Sequence, residues 1–374
     1  RADGEAAAAS RGSARRCTGD RGGAAADDAL PLVGASRGYR TVGCVGRGSF
    51  GRALLVQDAR GSHFVLKAVS LARSSSTGRQ HQVLVLEARR EASVMAKLRH
   101  PYVIRYREHF EECGTLAIVM DFARGGNLLQ RIRATRLAGD ALAEAQVLRW
   151  FTQVVVGFKY VHGTGLIHRD AKSENFLLSA HGDVLIGDFG LAMHIGSSSF
   201  YDDKAVGTPY YLSPEIIQRG RYSGASDIWA LGVCLFEMSA LRVPFDAHNL
   251  AGLTVKITQG TIPQLPATYS SGLQLLAADL LCRDYRVRPA AAQLVKHPLV
   301  HATIQCLVAE ARGEVAPAEP GPAAKDAVKP VPATGERAPA SHQADPPASS
   351  PPARASSARA SGDRRPAQRQ ALLR

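Results

Sequence analysis

Between residues 39 and 122 apolar and polar positions alternate in short runs divided by glycines. Thr41–Val45, Ala53–Gln57 and Phe64–Val69 keep the period of two that puts alternate side chains on one face of a strand, and together they predict a β-meander. One helix interrupts it. Leu84, Glu87, Glu91, Val94 or Met95, and Leu98 recur at helical spacing and stop at His100-Pro101, where proline bars continuation. Leu116–Phe122 is a further apolar strand, after which the period changes. Val147, Phe151, Val154, Val155, Phe158 and Val161 share one face of a long helix, and Asp227–Ser239 is apolar enough to be a buried one. Phe176–Leu178 and Val184–Ile186 read as two short strands between them. The pattern predicts an α+β fold of two lobes: a small β-rich lobe with one helix over 39–122, and a larger, mainly helical lobe over 123–300.

The two ends lack this patterning. Residues 1–38 are Ala, Gly, Arg and Ser with almost no large apolar side chain before Leu30, and residues 308–374 hold 11 of the 20 prolines. Neither can bury enough surface to offset its ordering entropy, so both are expected to be disordered. No stretch approaches the ~18 apolar residues of a membrane helix, so no membrane span is expected. Nor does an n-region and h-region of a secretory leader open the chain. The formal charge is +13, of which the ends carry only +1 and +3 and the patterned middle +9. A surplus so diffuse describes a solvated surface, and no specific nucleic-acid binding is expected. Residues 354–374 concentrate six arginines against one aspartate, which suits either an acidic docking partner or a solubilising tail. The six cysteines form no C-x-x-C pair and no zinc-spaced cluster with histidine.

Gly46-x-Gly48-x-x-Gly51 follows an apolar run and precedes another strand, not a helix. Glycines so spaced let backbone N–H groups approach a phosphate, though a plain glycine-rich hairpin has the same sequence. Lys67 interrupts the alternation of Phe64–Val69 and puts an ammonium on the inward face, so it calls for a carboxylate, an anionic ligand or both. Glu91 is the first candidate partner, with Glu87 one turn earlier as the alternative. Further on stand His168-Arg169-Asp170-Ala171-Lys172-Ser173-Glu174-Asn175 and Asp188-Phe189-Gly190, the two aspartates 18 residues apart.

This ordered set resembles the eukaryotic protein kinases, whose H-R-D-x-x-x-x-N and D-F-G motifs it matches. The resemblance extends over residues 39 to about 300. Gly207-Thr208-Pro209-Tyr210-Tyr211-Leu212-Ser213-Pro214-Glu215 resembles the end of an activation segment, with Ser213 where alanine is usual. Asp227–Gly232 resembles the buried helix under the catalytic loop, and Arg288-Pro289 the late arginine that pairs with the segment's glutamate, here Glu215. The strings Ile118–Asn127 and Val206–Glu215 are most similar to NIMA-related kinases. Two departures stand against that subfamily: no heptad pattern follows the domain, and Asn127 replaces an acidic residue.

The resemblance implies a Ser/Thr protein kinase that uses ATP and Mg2+ and acts on protein substrates, and it implies a part for each matched residue. The loop of Gly46, Gly48 and Gly51, with Arg47, Ser49, Phe50 and Arg52, would cover the phosphates, and Lys67 held by Glu91 would bind them. Val45, Ala53, Val65 and Met120 would flank the adenine, and the backbone from Asp121 to Ala123 would hydrogen-bond it. Asn175 and Asp188 would hold magnesium, Asp170 would take the acceptor's proton, and Lys172 would neutralise the moving phosphoryl group. Lys172 and Thr208 mark the Ser/Thr pattern. Lys204 stands where the subfamily carries an activating phosphoacceptor, so Asp202 or Asp203 is expected to pair with Arg169 in place of a phosphate. The alternative is phosphorylation at Ser197–Ser199, Tyr201 or Thr208. The competing function is a pseudokinase scaffold acting through its surface and basic tail. Against it, Lys67, Asp170 and Asp188 are all present. A cytoplasmic location, with cytoskeletal or nuclear association, is expected by analogy alone.

Overall fold

The computed structural model describes residues 33–48, 51–71, 78–194 and 209–315. Five strands, β1 (Arg40–Gly48), β2 (Gly51–Gln57), β3 (His63–Ser70), β4 (Tyr106–Glu112) and β5 (Thr115–Asp121), form one antiparallel sheet in the order β1-β2-β3-β5-β4. Helix α1 (Gly78–Lys97) lies between β3 and β4 in sequence. The period of two decides what each face of the sheet packs against. In β5, Leu116 and Ile118 join Val69, Ala88, Ala92 and Met95 in the cluster under α1, whereas Ala117 and Val119 join Leu54, Val56, Leu66 and Phe110 on the other side.

The second lobe holds α2 (Leu128–Leu137), α3 (Glu144–Gly163), the short strands β6 (Leu166–Ile167), β7 (Phe176–Leu178), β8 (Val184–Ile186) and β9 (Met193–His194), then α4 (Pro214–Ile217), α5 (Gly224–Ala240), α6 (Leu250–Gln259), α7 (Ser271–Leu280), α8 (Ala291–Leu294) and α9 (Pro298–Ala311). β7 pairs with β8 and β6 with β9. Helix α5 is its axis: every residue from Ser226 to Ser239 is buried. A helix apolar all round belongs inside, and α3 and α7 pack against it. Its start is set by Ser223 and Ser226 in a reciprocal capping box.

Folded structure reaches into both ends that were expected to be disordered. The structure places residues 33–38, which the sequence assigned to a disordered start. Val33 is buried in the outer cluster of the sheet, Ala35–Arg37 make a 3-10 turn, and the Gly34 and Ser36 N–H groups donate to the Glu112 carboxylate. One apolar residue and a distant acceptor anchor a stretch whose composition gave no sign of it. At the other edge α9 runs to Ala311, past the expected boundary at 308, because Leu307 is buried and Glu310 takes Arg149 at 2.6 Å. The proline-rich stretch begins only at Pro317.

Candidate active site

The register of the sheet sets Lys67 between Ala53 of β2 and Ile118 of β5. From α1, Ala88, Glu91, Ala92 and Met95 fall on one buried face at i, i+3, i+4 and i+7, which turns the Glu91 carboxylate toward the sheet. Lys67 Nζ meets Glu91 Oε1 at 2.9 Å and Oε2 at 2.7 Å, and Asp188 Oδ1 at 3.2 Å. Glu91 is only 2% exposed, so its ionised form depends on this partner. Burial works against the Lys67 ammonium, but the carboxylates of Glu91 and Asp188 outweigh it and hold its pKa above the ordinary lysine value. Burial likewise pushes the Asp188 carboxyl up, and Lys67 beside it brings it below the usual aspartate range.

The loop between β6 and β7 carries the second group of polar side chains. Its backbone is suspended from α5: the buried Asp227 carboxylate accepts the N–H groups of His168 and Arg169, each at 2.9 Å, and contacts His162 Nε2 at 2.8 Å. Complete burial would raise the Asp227 pKa, and the His162 hydrogen bond, the charge interaction with it and the His168 contacts instead keep it low. The His168 ring packs against Phe189 with centroids 4.9 Å apart, joining this loop to the one that carries Asp188. Asp170 Oδ2 then accepts from Lys172 Nζ at 2.8 Å and from Asn175 Nδ2 at 2.9 Å. Arg169 and Asp188 take positive φ values of 69° and 53°, a sparsely used conformation that here flanks the polar cluster on both sides.

A cavity of about 450 Å3 opens between the lobes. Of the residues expected at a nucleotide, Gly46, Gly51, Arg52, Ala53, Val65, Lys67 and Met120 line it, together with Glu91, Asn175 and Asp188. Val45, Asp121 and Ala123 do not line it; Asp121 gives its carboxylate to Arg107 at 2.6 Å and its N–H to the Arg105 carbonyl. Asp170 and Lys172 also lie outside the lining. The backbone of Arg47 and Gly48 belongs to β1, while Ser49 and Phe50 lie outside the described residues. Gly51 has a structural reason to be glycine: at φ 134° a side chain there would collide with the Ala68 carbonyl.

Asn127, Glu174, Leu177 and Gly187 line the cavity without having been expected to. For Asn127 a signal existed. Asn127-x-x-Gln130 is a capping box, and Asn127 Oδ1 accepts the Gln130 N–H at 2.8 Å while Gln130 returns a bond to the Asn127 N–H at 3.0 Å. The residue where a charge was missed is the cap of α2. Farther out, Arg288 and Glu215 form the expected pair at 3.0 and 3.2 Å. Arg169 lies over the Tyr222 ring, 4.6 Å from its centroid, and donates to the Met193 sulfur. Asp202, Asp203 and the alternative phosphoacceptors at 197–199, 201 and 208 lie outside the described residues.

The geometry can be set beside known proteins. The Protein kinase domain family model matches residues 39–300. The chain belongs to the protein kinase family. Within it, the kinase domain is similar to mouse serine/threonine-protein kinase Nek1, 40% identical over 262 residues, which is 70% of this chain and 21% of that protein. It is 40% identical over 258 residues to mouse Nek3, covering 69% of this chain and 48% of the relative. To Nek6 of Oryza sativa subsp. japonica it is 36% identical over 265 residues, 70% and 47% of the two chains. The similarity to the NIMA-related branch read from Ile118–Asn127 and Val206–Glu215 is thus found across the whole kinase domain. The chain spans less than half the length of these relatives.

Proposed function

We propose that this kinase domain transfers the γ-phosphoryl group of ATP to Ser/Thr hydroxyls of protein substrates. The observation that carries the reading is the assembled Lys67–Glu91 pair at 2.7 Å, with Asp188 at 3.2 Å, on the wall of a cavity roofed by Gly46 and Gly51. A charged lysine held by two carboxylates is placed to meet phosphate oxygens. Asp170, oriented by Asn175 and Lys172, would accept the acceptor hydroxyl's proton, and Lys172 would shift from Asp170 toward the phosphoryl group as charge builds there. Val65, Ala53 and Met120 supply apolar surface for a purine.

Asn175 and Asp188 suit magnesium. The Asn175 amide nitrogen is committed to Asp170, at 2.8 and 2.9 Å, which leaves its side-chain oxygen as the atom for a cation. Two hard oxygen donors are few for a fully protein-held ion, but enough for one that shares phosphate oxygens and water. When bound, the ion would neutralise charge on the transferring phosphates. Protein substrates are implied by the family. An acidic partner for the 354–374 arginines and a cytoplasmic location are also proposed, the first on charge and the second on family grounds alone. Nothing favours the scaffold alternative. The test is incubation with Mg-ATP and a degenerate Ser/Thr peptide array. Asp170→Asn and Lys67→Met should each abolish transfer, loss of the base alone costing ~10²–10⁴ in rate. Undiminished transfer in both variants would refute the assignment.

A further inference from the structure

Residues 33–39, just ahead of β1, cross the face of the sheet that points away from α1. Val33 is 3% exposed, inside the cluster of Leu54, Val56, Leu66 and Phe110 on that face. Gly34 turns the chain at φ 94°, where an added side chain would press on Leu66 and Tyr39. The Gly34 and Ser36 N–H groups share one carboxylate, Glu112 of β4, the second of them at 3.2 Å. The Tyr39 hydroxyl donates to one oxygen of Glu108 at 2.8 Å, and Arg37 reaches the other at 3.8 Å. Glu108, Phe110 and Glu112 alternate along β4, so the period of two presents all three to this segment.

The contacts do not end on β4. The Tyr39 ring stacks on Phe110, with centroids 6.4 Å apart, and meets Phe64 of β3 edge-on at 6.0 Å. Over the same Phe64 ring lies the Arg107 guanidinium, 5.1 Å from the centroid, and its Nε donates to Asp121 at 2.6 Å. Phe64 also stands opposite Asp121 in the register of β3 and β5. Asp121 closes β5, and Phe122 and Ala123 after it lead from the sheet toward the helical lobe. The Asp121 N–H is taken by the Arg105 carbonyl at 2.9 Å, so backbone and side chain are both fixed from the preceding strand and its approach. An ion pair between two freely moving surface side chains contributes little. Here the guanidinium is held on Phe64, and Phe64 is held by Tyr39, so the pair with Asp121 keeps one geometry. A continuous row of contacts runs from the segment ahead of the sheet to the backbone between the lobes.

We propose that residues 33–39 are a positioning strap for the nucleotide site: Tyr39 holds Phe64, Phe64 holds Arg107, and Arg107 sets Asp121, so that the backbone from Asp121 to Ala123 keeps the place an adenine requires. The proposal rests on the ATP-binding reading above. It puts the effect of the strap on affinity for ATP and not on the transfer step, because Asp170 is oriented by Lys172 and Asn175 and its loop hangs from Asp227, all in the other lobe.

Two measurements on the purified 374-residue chain test it. Calorimetric titration with Mg-ATP should give Tyr39→Leu and Arg107→Met each a Kd about fivefold above wild type, the scale of one cation–π contact, with kcat within about twofold. The double variant should lose no more than either single one, because both cut the same row. Tyr39→Phe keeps the ring and should bind as wild type does. Glu111→Gln, which breaks the 2.7 Å pair with Arg89 on the opposite face of the same strand, should leave binding unchanged. In hydrogen exchange on nucleotide-free protein, Tyr39→Leu should raise exchange in 119–123 and leave 168–175 as in wild type. If Tyr39→Leu does not fold, Arg107→Met, whose side chain is 38% exposed, carries the exchange measurement, and Glu112→Met replaces Tyr39→Leu in the titration. Wild-type affinity in Arg107→Met, losses that multiply in the double variant, a fall in kcat equal to the rise in Kd, weaker binding in Glu111→Gln, or unchanged exchange in 119–123 overturns the proposal. Wild-type chain that binds no ATP overturns the kinase reading instead, and the exchange experiment still decides whether the strap braces the backbone between the lobes.

Discussion

Arg288→Met tests the tertiary logic of the helical lobe most sharply. The Arg288 side chain is wholly buried and gives Nη1 to Glu215 at 3.0 Å and to the Ala225 carbonyl at 2.5 Å, Nη2 to Glu215 at 3.2 Å, and Nε to the Cys282 carbonyl at 3.0 Å. Its guanidinium also sits 5.2 Å from the Trp229 ring centroid. Methionine keeps most of the volume but strips these bonds and leaves Glu215, 8% exposed, without a charged partner, the Ser226 hydroxyl still donating at 3.0 Å. Breaking one side of a buried ion pair costs ~3–5 kcal/mol, because the surviving charge stays buried without its partner. In a domain of this size that is a fall in Tm of roughly 6–20 °C. Urea denaturation followed by circular dichroism measures it. Glu215→Gln in the Arg288→Met background should return at least half the loss, since it removes the stranded charge. There is also a pH signature. Burial alone would raise the Glu215 pKa, but Arg288 holds it below the ordinary glutamate value. The pair's contribution is therefore complete above the unfolded carboxyl's pKa and is lost as pH falls through the lower folded one, and Arg288→Met should lose that acid dependence. A cost under about 1 kcal/mol, with Glu215→Gln giving no recovery, would show that α4 is held by its apolar contacts alone.

Ala53→Val should fill part of the cavity roof with about 1 kcal/mol of apolar contact, lowering KM for ATP about fivefold at unchanged kcat; a higher KM would mean that the roof has no room. His100, stacked on Tyr160 at 4.9 Å, has its pKa lowered to about 4 by burial and by Lys159. Its contribution to stability is complete above the unfolded value near pH 6.5 and lost as pH falls toward 4, up to ~3 kcal/mol, so His100→Phe should flatten a denaturation series across that window. Gly51→Val should reduce ATP affinity and loosen the β1–β2 tip, because its Cβ would meet the Ala68 carbonyl; isothermal titration against ATP would read it.

The strands, the long helices and the ordered motifs were legible because each rests on local spacing: period two in Phe64–Val69, helical period in Val147–Val161, and fixed offsets in His168–Asn175. Lys67 demanded a carboxylate through its chemistry alone, but Glu91 and Glu87 lie one turn apart on the same face of α1, and only packing decides which turn meets Lys67. The same holds for Asn127. Its sequence offers a helix cap, and the fold also makes it a cleft residue because α2 starts at the cavity edge. Residues 33–38 and 308–315 escaped the reading because their order comes from a few contacts distant in sequence, Glu112 with the core around Val33 and Arg149 with the buried Leu307, and composition averages such contacts away. Glu237 was one more polar residue in an apolar helix. What the sequence by itself determined is the set of groups and their order along the chain. Which of them share a hydrogen bond is a tertiary property, since Ser173, Tyr211 and Glu237 lie up to 64 residues apart and meet only where α5 passes beneath the loop.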